Sequence, residues 1–369
     1  MIIDEFFDRC LERIRTKAIV VPPLDGAMRP NNLLDESEVI LGGIKCPDNA
    51  IVINDELWFS SKNQLFKLNV DARSDPQLIE GFEADISCMA ASPDKGIAIG
   101  LEDARLLTGR TEGQALVDLV DHEALGCPSA MTFSSDGRLL VCQGSKNIEN
   151  PTDMTRDLMQ HGRSGSVWTH DFATGERSCI ARNLGYPYGI VALSHSDEIL
   201  VSECWQHRII KLSLQGNRKP EAVFNDIPGY PARMIELSNS GLMLCLFAPR
   251  NRLIEFVLRE HEFRKQMIDT IDPAYWIAPT LKSTQNFLAP LQQGGVKVMG
   301  IHKPWAPSLS HGMMVRLDQS QSPVESYHSR ANGQRHGITS CCQIGHRIFA
   351  TSKGDDCIIE LSMNPGGQA

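Results

Sequence analysis

Four polar residues occupy equivalent places in separate copies of a recurring phrase, each within two residues of a Pro or Gly that opens an apolar stretch. They are Asp48 in CPDN, Tyr188 in YPYG, Arg233 in YPAR and His336 in RHGIT. A guanidinium binds carboxylate or phosphate, or stabilises the oxyanion that forms when an ester or lactone carbonyl is attacked. An imidazole is a general base near neutral pH, and a carboxylate orients it or activates water.

If the copies form a closed ring, these four side chains meet at its axis and make a catalytic site. The same register permits a second interpretation. An Asp48–Arg233 ion pair would close the channel, with Tyr188 packed above it. The sequence leaves both open.

The elements that would hold these residues are short β-rich runs separated by polar turns. The turns SPDKG, SSDGR, SHSDE and SNSGL each precede a strand-like run. Intervals of roughly 40 to 60 residues, the last one excepted, are the spacing of four-stranded propeller blades. The sequence therefore predicts an all-β fold, a six-bladed β-propeller with an N-terminal helix and two lid-like insertions. The copies begin near Pro47, Ile86, Pro128, Pro187, Pro231 and Gly337.

Six blades of about 42 residues account for about 250 of the 369 residues. We expect an N-terminal helix and arm at 1–43, the propeller at 44–362 and a tail at 363–369. Insertions at 145–165 and 250–309 are expected to cover one mouth of the channel; alternatively they bury a blade edge or make a dimer contact. The second insertion opens with a helix-period run, NRLIEFVLREHEFRKQMIDTI.

The amphipathic N-terminal segment MIIDEFFDRCLERIRTK is expected to dock on the domain or on a second copy, giving a homodimer, because its polar face is mixed in charge. The chain is 42% hydrophobic with a net charge of −9, and no apolar run approaches a membrane span. Scattered Lys and Arg argue against nucleic acid as a partner. Eleven Cys without a CxxC pair favour a reducing, cytoplasmic location.

Two stretches of the chain resemble the strictosidine synthase-like family, within the wider group of senescence marker protein-30 and gluconolactonase. They are YPYGIVALSHSDEILVSECWQHRIIKLSL with the following VFNDIPGYPARMIELSNSGLMLCLFAPRN, and GITS…RIFATSKGDDCIIEL. The resemblance implies a six-bladed propeller with its site on the top face near the axis. It also implies one of two chemistries: lactonase or phosphotriesterase-like hydrolysis with a divalent cation, or metal-free condensation of an amine with an aldehyde.

The resemblance implies a cation such as Ca²⁺ held by a first-blade carboxylate and by Asn or Asp after the inner-strand Pro of later blades. Asp48 matches the carboxylate. Ser129, Tyr188 and the pair Ala232–Arg233 stand where the other ligands are expected. Because Arg brings a fixed charge and no lone pair, we expect either no cofactor or one cation completed at Asp48 by water and backbone carbonyls.

Three further residues are assigned to substrate binding: Ser129, Glu203 in VSECW, and Trp305 in KPWAP. Glu203 matches a family Glu, and it could instead have a structural role, pairing with His207 or Arg208. Near Thr339, where condensing relatives carry a Glu, no carboxylate occurs.

We therefore expect a lactonase or esterase acting on a small molecule at the top of the channel, with Asp48, Tyr188, Arg233 and His336 as catalytic residues. The alternatives are a condensing enzyme of the strictosidine synthase type and a propeller that binds a small anionic ligand without chemistry.

Overall fold

A computed structural model describes most of the chain. The described residues are 21–72, 74–94, 96–109, 116–119, 126–148, 153–194, 196–238, 241–283, 297–298, 301–302 and 310–361. The expected N-terminal helix, Trp305 and the expected tail lie outside them.

Six four-stranded antiparallel sheets form the six blades of a β-propeller, as the sequence predicted. Blade 1 contains Pro47–Ile53, Glu56–Ser61, Gln64–Leu68 and Gln77–Gly81. Blade 2 contains Ile86–Ser92, Gly96–Leu101, Leu106–Gly109 and Val117–Asp118. Blade 3 contains Pro128–Phe133, Leu139–Gln143, Gly165–His170 and Arg177–Leu184.

The remaining three blades follow the same order, with the first strand of each lining the axis. Blade 4 contains Pro187–Ala192, Glu198–Glu203, Arg208–Ser213 and Glu221–Phe224. Blade 5 contains Gly229–Glu236, Leu242–Pro249, Met313–Leu317 and Pro323–His328. Blade 6 contains Ile338–Ile344, Arg347–Ser352, Cys357–Leu361 and, as its outer strand, Glu38–Gly42.

The ring is closed by a strand from near the start of the chain. Glu38–Gly42 pairs antiparallel with Cys357–Leu361, so one sheet contains both early and late residues. The ring therefore begins before the boundary that the sequence suggested at residue 44. Such pairing holds the two ends of the ring together within one blade.

Apolar side chains between blades and tight turns between strands explain this fold. Buried Leu, Ile, Val and Ala fill the spaces between neighbouring sheets. The turn Asn54–Asp55, with φ of 52° and 59°, joins the first two strands of blade 1. Both residues tolerate the left-handed conformation that a two-residue hairpin requires.

Both insertions leave the ring at the end where the inner strands begin. The segment 145–165 joins the second and third strands of blade 3, and 250–309 joins the corresponding strands of blade 5. The first contains the helix Met154–Met159. The helix-period run of the second forms two helices, Arg252–Arg259 and His261–Thr270, which confirms that prediction.

Short elements complete the described chain. The N-terminal arm contains a 3-10 turn, Gly26–Met28, and one helical turn, Leu33–Glu36. Further 3-10 turns span Cys204–Gln206 and Pro273–Tyr275, and two short strands, Lys297–Val298 and Ile301–His302, pair with each other.

The ten described cysteines are free thiols. Within the described ranges, no helix is long and apolar enough to cross a membrane.

Candidate functional site

Asp48 lies on the axis, 3% exposed, near the start of the inner strand of blade 1. Its Oδ1 accepts hydrogen bonds from Arg233 Nη1 at 3.0 Å, Thr339 Oγ1 at 2.8 Å and the Asn49 amide at 2.8 Å. Its Oδ2 accepts one from Lys353 Nζ at 3.0 Å. Burial opposes ionisation, but the two cations outweigh it and hold the pKa of Asp48 well below its usual range. Asp48 is therefore a carboxylate, and a weak base.

Arg233 reaches across the axis from blade 5. Its Nη2 donates to the carbonyl oxygens of Ser87 at 2.6 Å and Ser129 at 3.4 Å, on blades 2 and 3. The guanidinium carbon lies 5.1 Å from the ring centre of Tyr188 on blade 4, a cation–π distance. Burial disfavours the charge, yet Asp48 raises the pKa of Arg233 above its ordinary value. One guanidinium thus contacts four other blades.

Lys353 is a member of the site that the sequence reasoning did not identify. It follows the second strand of blade 6 in the sequence SKGDD, whereas the prediction considered only the starts of inner strands. Burial lowers the pKa of Lys353, but Asp48 raises it by more. The pKa therefore lies above its ordinary value and the ammonium stays charged. Its side chain is 31% exposed, against 5% for Asp48 and 13% for Arg233. Lys353 is therefore the member of this cluster that solvent reaches most easily.

We call Asp48, Arg233, Lys353, Thr339 and Tyr188 the axial cluster. Three of the four predicted catalytic residues, Asp48, Tyr188 and Arg233, come together in it, in the ion-paired arrangement that the sequence left as its second interpretation. The Thr339 hydroxyl donates a hydrogen bond to Asp48 Oδ1.

His336 faces a different set of groups. Its Nε2 is 2.9 Å from the Arg330 carbonyl oxygen, and its Nδ1 is 3.6 Å from Asp355 Oδ2. Its backbone carbonyl accepts bonds from Ser352 Oγ and the Gly354 amide. Among the described residues, the His336 side chain forms no hydrogen bond or ion pair with the axial cluster; it precedes the inner strand Ile338–Ile344.

Ser129 and Glu203 make contacts that hold neighbouring segments together. Ser129 Oγ donates to the Pro187 carbonyl at 2.6 Å, joining blades 3 and 4. Glu203 accepts from the Gly185 amide at 2.8 Å and from Arg208 Nε at 2.7 Å. Of the two partners expected for Glu203, Arg208 forms the pair. His207 Nε2 instead lies 3.5 Å from Glu255 Oε1. The assignment of Ser129 and Glu203 to substrate binding stays a prediction.

Buried aromatic side chains connect the axial cluster to the insertions. Tyr188 packs against Tyr186, which packs against Trp205 at a centroid distance of 5.0 Å. The indole N–H of Trp205 donates to Asp157 in the first insertion at 2.9 Å. Leu258 and Met267 of the second insertion belong to the same apolar cluster. The insertions therefore cover this end of the ring through direct packing.

The residues around Asp48 do not fit a divalent cation. Both carboxylate oxygens accept bonds from positively charged side chains, and an ammonium and a guanidinium bring charge without lone pairs. Calcium needs six to eight oxygen ligands. Among the described residues no group of three or more His, Cys, Asp or Glu could hold a metal ion. The two cations occupy the neighbourhood that the resemblance assigns to the metal.

A cavity of about 1010 Å³ lies on the other side of Arg233, away from the insertions. The later residues of the six inner strands line it, such as Ala50, Met89 and Met131. Arg233 also lines it and forms its inner end.

Comparison with known proteins shows that this chain resembles solved structures in fold. No family model and no curated protein matches the sequence. A calcium-binding regucalcin from Agrobacterium tumefaciens superposes with a TM-score of 0.57 at 10% identity, covering 89% of this chain and 93% of that one.

Two gluconolactonases superpose comparably. A putative gluconolactonase gives a TM-score of 0.56 at 12% identity, over 88% of this chain and 90% of that one. A gluconolactonase from Xanthomonas campestris gives 0.55 at 11% identity, over 87% of each chain. The shared feature is the regucalcin- and gluconolactonase-like propeller.

Proposed function

We propose that the protein is a small-molecule hydrolase of the lactonase or esterase type, whose chemistry takes place at the axial cluster without a divalent cation. One observation carries the proposal: Arg233 and Lys353 both hydrogen-bond to the single carboxylate of Asp48 on the axis. Fixed cations in a site shielded from water stabilise the negative charge that develops on a carbonyl oxygen under attack. The gluconolactonase-like fold supports the choice of reaction class.

Each cluster member has a role in this proposal. The Lys353 ammonium, the most exposed member, donates to the substrate carbonyl oxygen, and Arg233 adds a second positive charge. Asp48 Oδ2 accepts a single bond from the described residues, so it has a lone pair to orient a water molecule. Water oxygen bonds to the carbonyl carbon and the carbon–oxygen ester bond breaks. Lys353 gives its proton to the leaving alkoxide and regains one from the water, which yields an acid and an alcohol.

The experiment is a turnover assay with a panel of lactones and aryl esters. Replacing Lys353 by Met should lower kcat/KM by about tenfold or more, the scale of one lost oxyanion contact. Lys67→Met is the matched control, because Lys67 lies on the third strand of blade 1 and pairs with Glu56. Equal turnover in Lys353→Met and wild type would refute the role of Lys353.

A second candidate is a propeller that binds a small anion without chemistry. It is favoured by Asp48, whose lowered pKa makes it a weak base and whose Oδ1 already accepts three bonds. Binding of a lactone's acid product with no turnover of any panel member would support this candidate over the hydrolase.

A further inference from the structure

The cavity beyond Arg233 has the size and shape of a ligand site that the proposed hydrolysis does not use. Ligand pockets have volumes of about 300 to 1,000 Å³, and this cavity of about 1010 Å³ lies just above that range. It is at the opposite end of the channel from the insertions. Arg233, bridging the axis to Ser87 and Ser129, separates it from Lys353 and Tyr188. A molecule in this cavity is therefore distinct from a substrate beneath the insertions.

The walls of the inner part are apolar. Half-buried Ile51, Ala91 and Ile235, from three different blades, line this part. Covering such partly exposed apolar side chains removes their surface from water, so these walls suit a hydrocarbon body. A ligand covered with hydroxyl groups would lose its hydration against them without gaining hydrogen bonds.

The mouth of the cavity is polar, and its polar side chains bond to one another. Ser194 Oγ donates to Glu236 at 2.6 Å. Gln343 exchanges bonds with Ser238, its Nε2 donating to the Ser238 hydroxyl and its Oε1 accepting from the Ser238 amide, both at 2.9 Å. These groups form a hydrated rim, and the apolar section lies between the rim and Arg233.

The axial cluster as a whole, which borders the inner end of the cavity, carries one excess positive charge. The axial cluster contains two cations, Arg233 and Lys353, against one carboxylate, Asp48, and no second carboxylate of the described chain contacts either cation. Asp48, Ser87 and Ser129 take three of the five guanidinium N–H groups of Arg233. An excess positive charge in a buried place attracts an anion strongly, because little water screens it.

We propose that this cavity binds a small organic acid with an apolar body, its carboxylate directed at Arg233 and its hydrocarbon part lying along Ile51, Ala91 and Ile235. The acid neutralises the excess charge of the axial cluster, and its body replaces water at the apolar walls. A short polar anion neutralises the charge but does not cover the apolar walls. A neutral lipid-like alcohol covers the walls but does not neutralise the charge. The site therefore selects molecules that have both features.

Calorimetric titration with octanoate, acetate and 1-octanol tests this selection. Octanoate should bind at least about tenfold more tightly than either of the others. Acetate binding as tightly as octanoate would overturn the role of the apolar walls, and 1-octanol binding as tightly would overturn the role of Arg233.

A cavity-filling variant locates the ligand. Ala91 is half-buried on the inner strand of blade 2 and lines the cavity, so Ala91→Phe should weaken octanoate binding by about tenfold or more. Ala173→Phe, at an exposed turn of blade 3, is the matched control and should bind octanoate as wild type does. Thr132 also lines the cavity. If Ala91→Phe unfolds at a clearly lower temperature than wild type, Thr132→Phe takes its place in the titration. Unchanged octanoate affinity in a folded filling variant would place the ligand elsewhere and overturn the proposal.

The result is separable from the hydrolase proposal. Ala91→Phe is expected to keep wild-type ester turnover, because the reaction uses Lys353 on the other side of Arg233. Octanoate binding by a protein that turns over no lactone or ester would support the cavity and refute the hydrolase. Turnover by a protein that binds no octanoate would refute the cavity and leave the hydrolase standing.

Discussion

At the scale of single residues, the axial cluster is an unequal set of charges in a buried place. Asp48 is stabilised as a carboxylate by Arg233 and Lys353. Removing one partner of a buried pair leaves an uncompensated charge, which costs about 3–5 kcal/mol. The three charges are therefore not equivalent: loss of Asp48 leaves two cations together, whereas loss of Lys353 leaves a balanced Asp48–Arg233 pair.

Asp48→Asn should lower the free energy of unfolding by about 3–5 kcal/mol, measured by urea denaturation. Lys353→Met should cost clearly less, because Lys353 is partly exposed and its loss balances the cluster. Asp103→Asn is the control, since Asp103 pairs with Arg105 at the surface and should change stability by less than about 0.5 kcal/mol. A larger loss for Lys353→Met than for Asp48→Asn would contradict this view of the charges.

At the scale of elements, Gly189 sets the spacing of the inner strands of blades 4 and 5. A Cβ atom there would lie 2.3 Å from the Ala232 carbonyl oxygen and 2.9 Å from the Arg233 Cα. The Ala232 carbonyl is itself held by Ser202 Oγ at 2.7 Å, so it cannot move freely. The close approach of these strands helps to fix where the Arg233 side chain begins.

Gly189→Ala should therefore destabilise the fold by about 1–3 kcal/mol, the usual cost of overpacking. It should also lower turnover, because it displaces the Arg233 backbone. Gly81→Ala, on the outer strand of blade 1, is the control, since no atom lies within 4 Å of its added Cβ. If thermal melts show the same stability for Gly189→Ala and wild type, the strands are not tightly constrained here.

Two neighbouring histidines, His311 and His328, make the stability of the protein depend on pH. The rings of His311 and His328 lie 5.8 Å apart, and His328 Nε2 is 2.9 Å from Ser326 Oγ. Burial, together with the neighbouring histidine charges, lowers the pKa of each to about 4. Both are neutral in the folded protein at neutral pH.

The unfolded chain binds protons on these histidines below about pH 6.5, and the folded protein does so only below about pH 4. Acidification between these values therefore favours unfolding, by about 1.4 kcal/mol per pH unit for each histidine once the unfolded state is protonated. Urea unfolding at several pH values measures this slope, and His328→Gln should reduce it. An equal slope in the variant would contradict the assignment. The contribution of Asp48 is lost in a different window, below about pH 4, because its folded pKa is lowered.

At the scale of the whole molecule, the sequence predicted the ring and part of its centre. Regular turns and alternating strands identify the inner strands, and a closed ring brings their first residues together; this is why Asp48, Tyr188 and Arg233 were found. Lys353 was missed because it lies in the loop after a second strand, where the repeat gives no signal. His336 precedes its strand, and its ring contacts Arg330 and Asp355, a detail of loop geometry that spacing does not encode.

The central claim is that two fixed cations at Asp48 take the place of a bound metal. The most direct measurement is the lactone and ester turnover of the same protein before and after exhaustive chelation, and again after Ca²⁺ is added. Because Arg233 and Lys353 engage both oxygens of Asp48, the account predicts equal turnover in all three samples and at least about a tenfold loss in Lys353→Met. Turnover that disappears on chelation and returns with Ca²⁺ would contradict it.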